Sequence, residues 1–389
     1  MIKTIRIMLI PNNKQKTRLF QYANTARFVY NWALSREKEN YQNGNKFIFD
    51  KDLRKEMTQL KKTKEYSWLN DISNDVIKQA IKDVCENYQK FFKKITNIPK
   101  FKKRKTAIPE FYQDNTKIKF SSTHVKLEKI STSKKKNKQQ LNWIKLAEKN
   151  RIPINCKYYN PRIKYDGINW WLTIGIEYED NIKHPQNDGI GIDLGIKDLA
   201  ICSDGNIYKN INKTQKVKKI EKQKRRLQRS ISRSYEKNKK GKKYYKTNNI
   251  IKKEKLLLKL YHRLTNIRHD YLHKITSEIV KRKPSFICIE DLNVSGMMKN
   301  QHLSKAIQQQ CFYEFRRQIE YKSEWNNIQV IIADRFFPSS KLCSCCGTIK
   351  KDLKLSDRIY ECKECGNKID RDYQAALNLK IYGIKYFVN

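Results

Sequence analysis

The sequence predicts a multidomain α/β protein, and three observations carry that prediction. A strand pattern at residues 1–10 returns as a β-rich stretch at 106–186, with helical patterns between them, so one β-barrel interrupted by a helical insert is expected. From Asp188 onward a hairpin, a long helix, a buried strand, a helix and a further strand follow one another, the pattern of an α/β domain. Near the C-terminus, Cys343-x2-Cys346 and Cys362-x2-Cys365 are separated by fifteen residues, the spacing of a four-thiolate zinc site.

The elements follow in order. Residues 1–10 alternate as a strand ending at Pro11. Residues 14–42 carry Leu19, Ala23, Ala26, Val29, Tyr30 and Ala33 near one helical face. Residues 74–95 form a second stripe through Ile77, Ala80, Ile81, Val84, Tyr88, Phe91 and Ile95, with Ser73 or Asn74 as its cap. These stripes read as the core of the helical insert, leaving a face with Lys78 and Lys82 for other contacts. A basic loop follows from Pro99 to Lys105. In the next stretch Asp166-Gly167 sits between 163–165 and 170–174 as a hairpin turn. The α/β part opens with 190–194 and 199–202 around a turn at 203–206. Residues 213–246 hold 16 Lys and Arg against the acids Glu221 and Glu236, and read as a phosphate-contacting helical hairpin. Leu260, Leu264, Ile267, Tyr271, Ile275 and Ile279 mark a helix stopped by Pro284, before a buried strand (286–290), a helix (305–325) and a strand (328–333). In this order the elements resemble the RNase H architecture.

Charge narrows the function. The 389 residues hold 84 Lys and Arg against 39 Asp and Glu, a formal charge of +45. Self-repulsion of that size calls for a polyanion, and phosphates reward each cation with released counterions, so nucleic acid is the expected partner. No apolar run approaches the roughly 20 residues that span a bilayer, and the N-terminus lacks a signal-peptide core, so no membrane partner is expected. Cysteines placed in zinc spacing or in apolar runs, as at Cys202 and Cys288, fit a reducing cytoplasm, with nucleoid association on DNA.

Two candidate chemistries stand out. Cys343, Cys346, Cys362 and Cys365 are expected to close around one structural Zn2+, with Gly347 and Gly366 in the tight-turn positions; Cys345 could compete in register. Asp193 and Glu290 each end an apolar run, and Asp372 starts a helix after the last thiolate. Three carboxylates from separate elements suit a pair of Mg2+ or Mn2+ ions. Asp198, Asp204 and Asp291 read as turn or surface groups, and Asp370 competes with Asp372. His269 and His273 lack a third ligand, and Gly241-Lys242-Lys243 lacks the rest of a phosphate-cradling loop, so ATP-driven chemistry is not expected.

The motifs carry a family resemblance. Gly191-Ile192-Asp193-Leu194-Gly195-Ile196-Lys197-Asp198, Cys288-Ile289-Glu290-Asp291-Leu292 and Asp370-Arg371-Asp372-Tyr373-Gln374-Ala375-Ala376-Leu377-Asn378 resemble the three RuvC motifs of TnpB, the transposon-encoded RNA-guided DNA endonuclease related to type V CRISPR effectors. Residues 26–32, Pro99-Lys100-Phe101 and 337–343 match as well, so the resemblance runs over essentially the whole chain. It implies a wedge-like β-barrel domain (1–10 and 106–186), a helical recognition domain (11–105), an RNase H-like RuvC domain (187–342 and 366–389) and a zinc-binding target-nucleic-acid insert (343–365). It implies that Asp193, Glu290 and Asp372 bind Mg2+ and that double-stranded DNA is cut beside a short flanking motif. Asp372 is favoured over Asp370 because the family's ligand precedes an Asn-Ala-Ala step by two residues, although Gln374 stands in place of that Asn. Asn74 and Lys78 fall where relatives read the flanking motif. Lys102, Lys103, Arg104, Lys224, Arg225 and Arg226 are expected on RNA or DNA. The implied partners are a guide RNA transcribed near the gene and the target DNA, with a monomeric protein in the RNA complex. The alternatives are a DNA transposase, an RNA-guided binder that does not cut, and a structure-selective resolvase.

Overall fold

A computed structural model describes residues 2–131, 140–154, 156–177, 185, 187–354 and 357–387; residues 178–184 and 186, at the end of the expected barrel, lie outside them. The chain divides into two units, 1–179 and 180–389. Among the described residues no helix is long and apolar enough to cross a membrane.

The first unit begins with β1 (Ile2–Ile10), followed by α1 (Asn13–Gln42), α2 (Asp50–Leu60) and α3 (Asn74–Phe92). It continues through β2 (Glu110–Tyr112), β3 (Lys119–Phe120), β4 (His124–Lys126), β5 (Trp143–Leu146), β6 (Tyr158–Tyr165) and β7 (Trp170–Glu177). The strands form one antiparallel sheet in the order β2-β6-β7-β1-β5-β4-β3, with β1 paired to β7 from Ile2↔Glu177 to Leu9↔Trp170. Its two ends share no ladder, yet Phe120 of β3 packs 4.8 Å from Tyr158 of β6, and Phe111 and Phe120 both enter a core with Ile7, Ile144 and Leu172. The sheet therefore curls around one core, as alternating apolar residues on a twisted sheet demand.

Local chemistry sets where the insert begins. The Asn12 side chain accepts from the Gln15 N–H, and Gln15 Oε1 accepts from the Asn12 N–H, both at 2.9 Å, so the pair closes a capping box. Gln15 Nε2 also donates to the Leu141 and Trp143 carbonyls at 3.0 and 2.8 Å, fixing α1 to β5. Ser73, not Asn74, caps α3. Arg162 of β6 grips Asp83 of α3 through two N–H donors at 2.8 and 2.9 Å. The helix α2 falls between the two stripes seen in the sequence and adds Leu53 and Met57 to their core.

The second unit holds β8 (Ile190–Leu194), β9 (Asp198–Cys202), β10 (Ile207–Lys209) and α4 (Gln215–Lys237), then a two-stranded ribbon of β11 (Lys239–Lys240) and β12 (Lys243–Tyr244). There follow α5 (Asn248–Lys281), β13 (Phe286–Glu290), α6 (Val294–Met297), α7 (Ser304–Gln310), α8 (Phe312–Glu324), β14 (Gln329–Ala333), β15 (Ile359–Glu361), β16 (Lys368–Asp370) and α9 (Arg371–Phe387). The expected helix over 305–325 is two helices, because Cys311 takes a left-handed φ of 56° between α7 and α8. The sheet runs β10-β9-β8-β13-β14, with β8 antiparallel to β9 and parallel to β13, and β13 parallel to β14. Ile192, Ile287 and Ile289 bury against α5 and α8, while Phe286, Cys288, Ile331 and Ala333 pack with Leu379 of α9. Helices thus cover both faces of a mixed α/β sheet.

Candidate active site

The two-residue period of a strand decides where the carboxylates go. Ile192 and Leu194 face the α5/α8 core, so Gly191 and Asp193 face the other way; Ile287 and Ile289 likewise leave Cys288 and Glu290 on that second face. Strands β8 and β13 lie side by side with Ile192 opposite Ile289, which brings Asp193 and Glu290 to neighbouring strand ends. Helix α9 lies directly on Gly191, where a Cβ would come within 2.1 Å of the Ala376 carbonyl oxygen, and its first turn carries Asp372.

The three charges feel one another. Burial raises the Asp193 carboxyl well above the usual carboxylate range, and Glu290 and then Asp372 add to the rise, with Arg371 opposing it. Burial also raises Glu290, Asp372 adds to it, and a hydrogen bond donated by Ser339 Oγ offsets part of it. Arg371 Nη2 holds Asp372 at 2.8 Å, and Arg358 approaches it at 3.5 Å. Asp370 has a different job: its Oδ1 accepts from the Asp372 and Tyr373 N–H groups at 3.0 and 3.1 Å, capping the first turn of α9. Among the described residues, the four knuckle cysteines are the one set of three or more ligand groups whose atoms lie within 4.8 Å of one another, so the carboxylates stand further apart than a single closed cage.

The four-cysteine knuckle is built from two equivalent turns. In each, a glycine at positive φ follows the second cysteine, Gly347 at 77° and Gly366 at 68°, and its N–H donates to the first cysteine's carbonyl at 3.0 and 3.1 Å. Sγ atoms of Cys343 and Cys365, and of Cys346 and Cys362, lie 3.6 Å apart. Tetrahedral Zn–S bonds place sulfurs about 3.8 Å apart, so the four thiols fit zinc, while Cys345 is exposed and lies outside the cluster. Burial opposes ionisation of Cys343, but the N–H groups of Cys346 and Cys345 bring it down to about 6. Cys365 is favoured as a thiolate by the Asn367 N–H, yet desolvation and the other three sulfurs push it up to about 12. Four thiolates do not coexist without a cation, which fits a resident dication.

Side chains on α9 tie the knuckle to the carboxylates. Gln374 and Asn378, one turn apart and fully buried, donate to the Leu342 carbonyl at 2.8 and 2.7 Å; Asn378 also reaches the Ser339 carbonyl at 2.7 Å, and Gln374 accepts from Ser344. The glutamine that replaces the expected asparagine therefore anchors the loop entering the knuckle. Ser339, Arg371, Gln374 and Asn378 were missed as functional residues by sequence reasoning. The i, i+4 polar pair on an otherwise apolar helix face was the signal for the last two; nothing in the sequence pointed to Ser339.

The expected nucleic-acid residues divide. Lys103, Arg104, Arg225 and Arg226 are exposed. Lys102 is engaged inside its own unit: its Nζ sits 4.1 Å from the centre of the Tyr30 ring and 3.6 Å from Glu110, and its backbone is bonded on both sides to Asn31. Lys224 turns inward to Glu221 at 2.7 Å, beside Arg268 at 3.2 Å, so it neutralises a buried acid. Asn74 accepts from Lys61, and Lys78 lies 3.6 Å from Asp75; both line a cleft of about 530 Å3 with Lys61, Lys62 and Asn70.

Three family models match the chain: a helix-turn-helix domain of the IS605 OrfB type over 1–46, the IS605 OrfB model described as "Probable transposase" over 173–301, and a Cas12f1-like TNB domain over 312–379. In the structure, 1–46 is a strand and one long helix. A relative from Escherichia coli (strain K12), named "Putative RNA-guided DNA endonuclease InsQ", is 29% identical across 98% of this chain and 92% of its own length. TnpB-like protein L79 of Acanthamoeba polyphaga mimivirus is 32% identical across 51% of this chain and 38% of its own. The cryo-EM structure of a Cas12f1-sgRNA-target DNA complex shares the fold, with a TM-score of 0.59 at 14% identity over 94% of this chain and 82% of that one. Over these three segments the chain is thus similar to IS605 OrfB and Cas12f1-like domains, the family its motifs resemble.

Proposed function

We propose that the chain is an RNA-guided DNA endonuclease that cuts double-stranded DNA beside a short flanking motif, by Mg2+-dependent phosphodiester hydrolysis in one site made by Asp193, Glu290 and Asp372. The observation that carries this reading is a carboxylate from each of two adjacent strand ends and one helix start, close enough that Glu290 and Asp372 raise Asp193. Like charges gathered on desolvated ground fit hard dications. Two Mg2+ or Mn2+ ions, held by these three acids, would supply an activated water and a stabilised leaving oxygen.

The rest of the work belongs to the chain. Ser339 steadies the Glu290 carboxylate, Arg371 and Arg358 hold Asp372, and Asp370 fixes the start of the helix that bears it. The sheet order supports an RNase H-like nuclease domain over 187–342 and 366–389, interrupted by a structural zinc insert at 343–365. A wedge-like barrel (1–10 and 106–186) with a recognition insert (11–105) would hold a guide RNA transcribed near the gene, and base pairing would read the target. The exposed cations Lys103, Arg104, Arg225 and Arg226 would meet phosphates.

The test is cleavage of a matched duplex by the protein purified with its RNA. The wild type is expected to cut in Mg2+ and Asp193→Ala to bind without cutting. Cutting by Asp193→Ala at the wild-type rate rejects this site.

A further inference from the structure

A cleft of about 450 Å3 opens beside Glu290, lined by Leu194, Asn293, Tyr313, Arg316 and Arg335 among others. Asp291 is the residue that follows Glu290. It receives Arg316 of α8 at 3.0 Å and Arg335, which follows β14, from a separate element. Asp291 and Glu320 together balance the two guanidiniums, so what this wall offers next to the carboxylate site is its remaining N–H donors. Each guanidinium has five N–H donors. Arg316 gives Nε to Glu320 and Nη1 to Asp291, while Arg335 gives Nη2 to Asp291 and keeps half its side chain exposed. Tyr313 lies three residues before Arg316, hence on the same side of α8, and is 72% exposed. Paired cations with an uncovered aromatic ring match one nucleotide of an unpaired strand, phosphate to guanidinium and base to ring.

Resting on the reading above, we propose that this cleft seats the nucleotide flanking the bond to be cut, its phosphate held by Arg316 and Arg335 and its base against Tyr313. Asp291 is then a positioning residue that aims the two arginines.

Two measurements test it on the purified protein–RNA complex. The first irradiates the complex with short single-stranded DNA carrying 5-iodouracil and locates the crosslink by mass spectrometry; Tyr313 is the expected site. The second measures cleavage of single-stranded DNA. Arg316→Ala, Arg335→Ala and Tyr313→Ala are each expected to raise KM about tenfold with kcat within about twofold, while Tyr313→Phe stays within about twofold of wild type. Unchanged KM in all three variants, crosslinks absent from 312–316, or Tyr313 crosslinked to the copurified RNA instead of DNA, would each overturn the proposal. A wild-type complex that fails to cut yet crosslinks at Tyr313 counts against the endonuclease reading and for the cleft.

Discussion

Gly191→Ala isolates the link between packing and chemistry. A Cβ at this position would lie 2.1 Å from the Ala376 carbonyl oxygen and 2.3 Å from the Lys380 nitrogen, both backbone atoms of α9. Ordinary contact needs about 3.5 Å, so the helix must shift by roughly 1 Å or more. Overpacking against backbone costs about 3 kcal/mol, the upper end for added methyls in a tight core. For a unit of this size each kcal/mol is worth about 2–4 °C, giving a Tm loss of roughly 6–12 °C. The same shift moves Asp372 against Asp193 and Glu290, and misplacement of about 1 Å costs roughly a hundredfold in rate. Gly205→Ala is the control: Gly205 sits at φ +84° with nothing within 4 Å, so alanine there costs only about 1–2 kcal/mol of backbone strain and leaves the rate unchanged. Thermal melts and single-turnover cleavage of both variants read the two effects. If Gly191→Ala melts and cuts like the wild type, α9 is not the element that sets the carboxylate geometry.

Three further outcomes follow from the site and its surroundings. Cys362→Ser is expected to lose bound zinc and soluble yield; elemental analysis showing zinc unchanged would refute a four-thiolate site. Asp193 and Glu290 have folded pKa values above their unfolded ones, so without dications stability rises as pH falls through those raised values and is lost as pH rises. Asp193→Asn should therefore melt higher than wild type in EDTA at neutral pH and gain less from added Mg2+, as thermal shift would read. Lys224→Ala should cost about 1–2 kcal/mol of stability, seen as a lower Tm, since Arg268 still pairs Glu221, whereas Arg225→Ala with Arg226→Ala should leave Tm alone and reduce the salt slope of nucleic-acid binding by about two.

Much of this was legible because the strong signals are local. The apolar runs that end at Asp193 and Glu290 and the cysteine spacing are fixed by neighbours in sequence. What escaped the sequence depends on partners far along the chain. Asp370 and Asp372 are alike as residues, and only the turn of α9 makes one a cap and leaves the other for the site. Lys224 and Arg225 are alike in a basic run, yet the helical turn aims the first at buried Glu221 and the second at solvent. Lys102 looks like a free cation until Tyr30 and Glu110 close on it from other elements. Cys311 breaks a helix that periodicity alone carries straight through.

The central claim is that an RNA guide directs the cut. The most direct measurement is to express the gene with its native flanking DNA, purify the protein and sequence the RNA that accompanies it. RNA-guided cutting predicts one discrete species, with a constant scaffold and an end that continues into neighbouring DNA and programs cleavage of a matching duplex. Heterogeneous cellular RNA, or none, together with strand transfer at element ends, would contradict it and return the +45 charge to DNA binding alone.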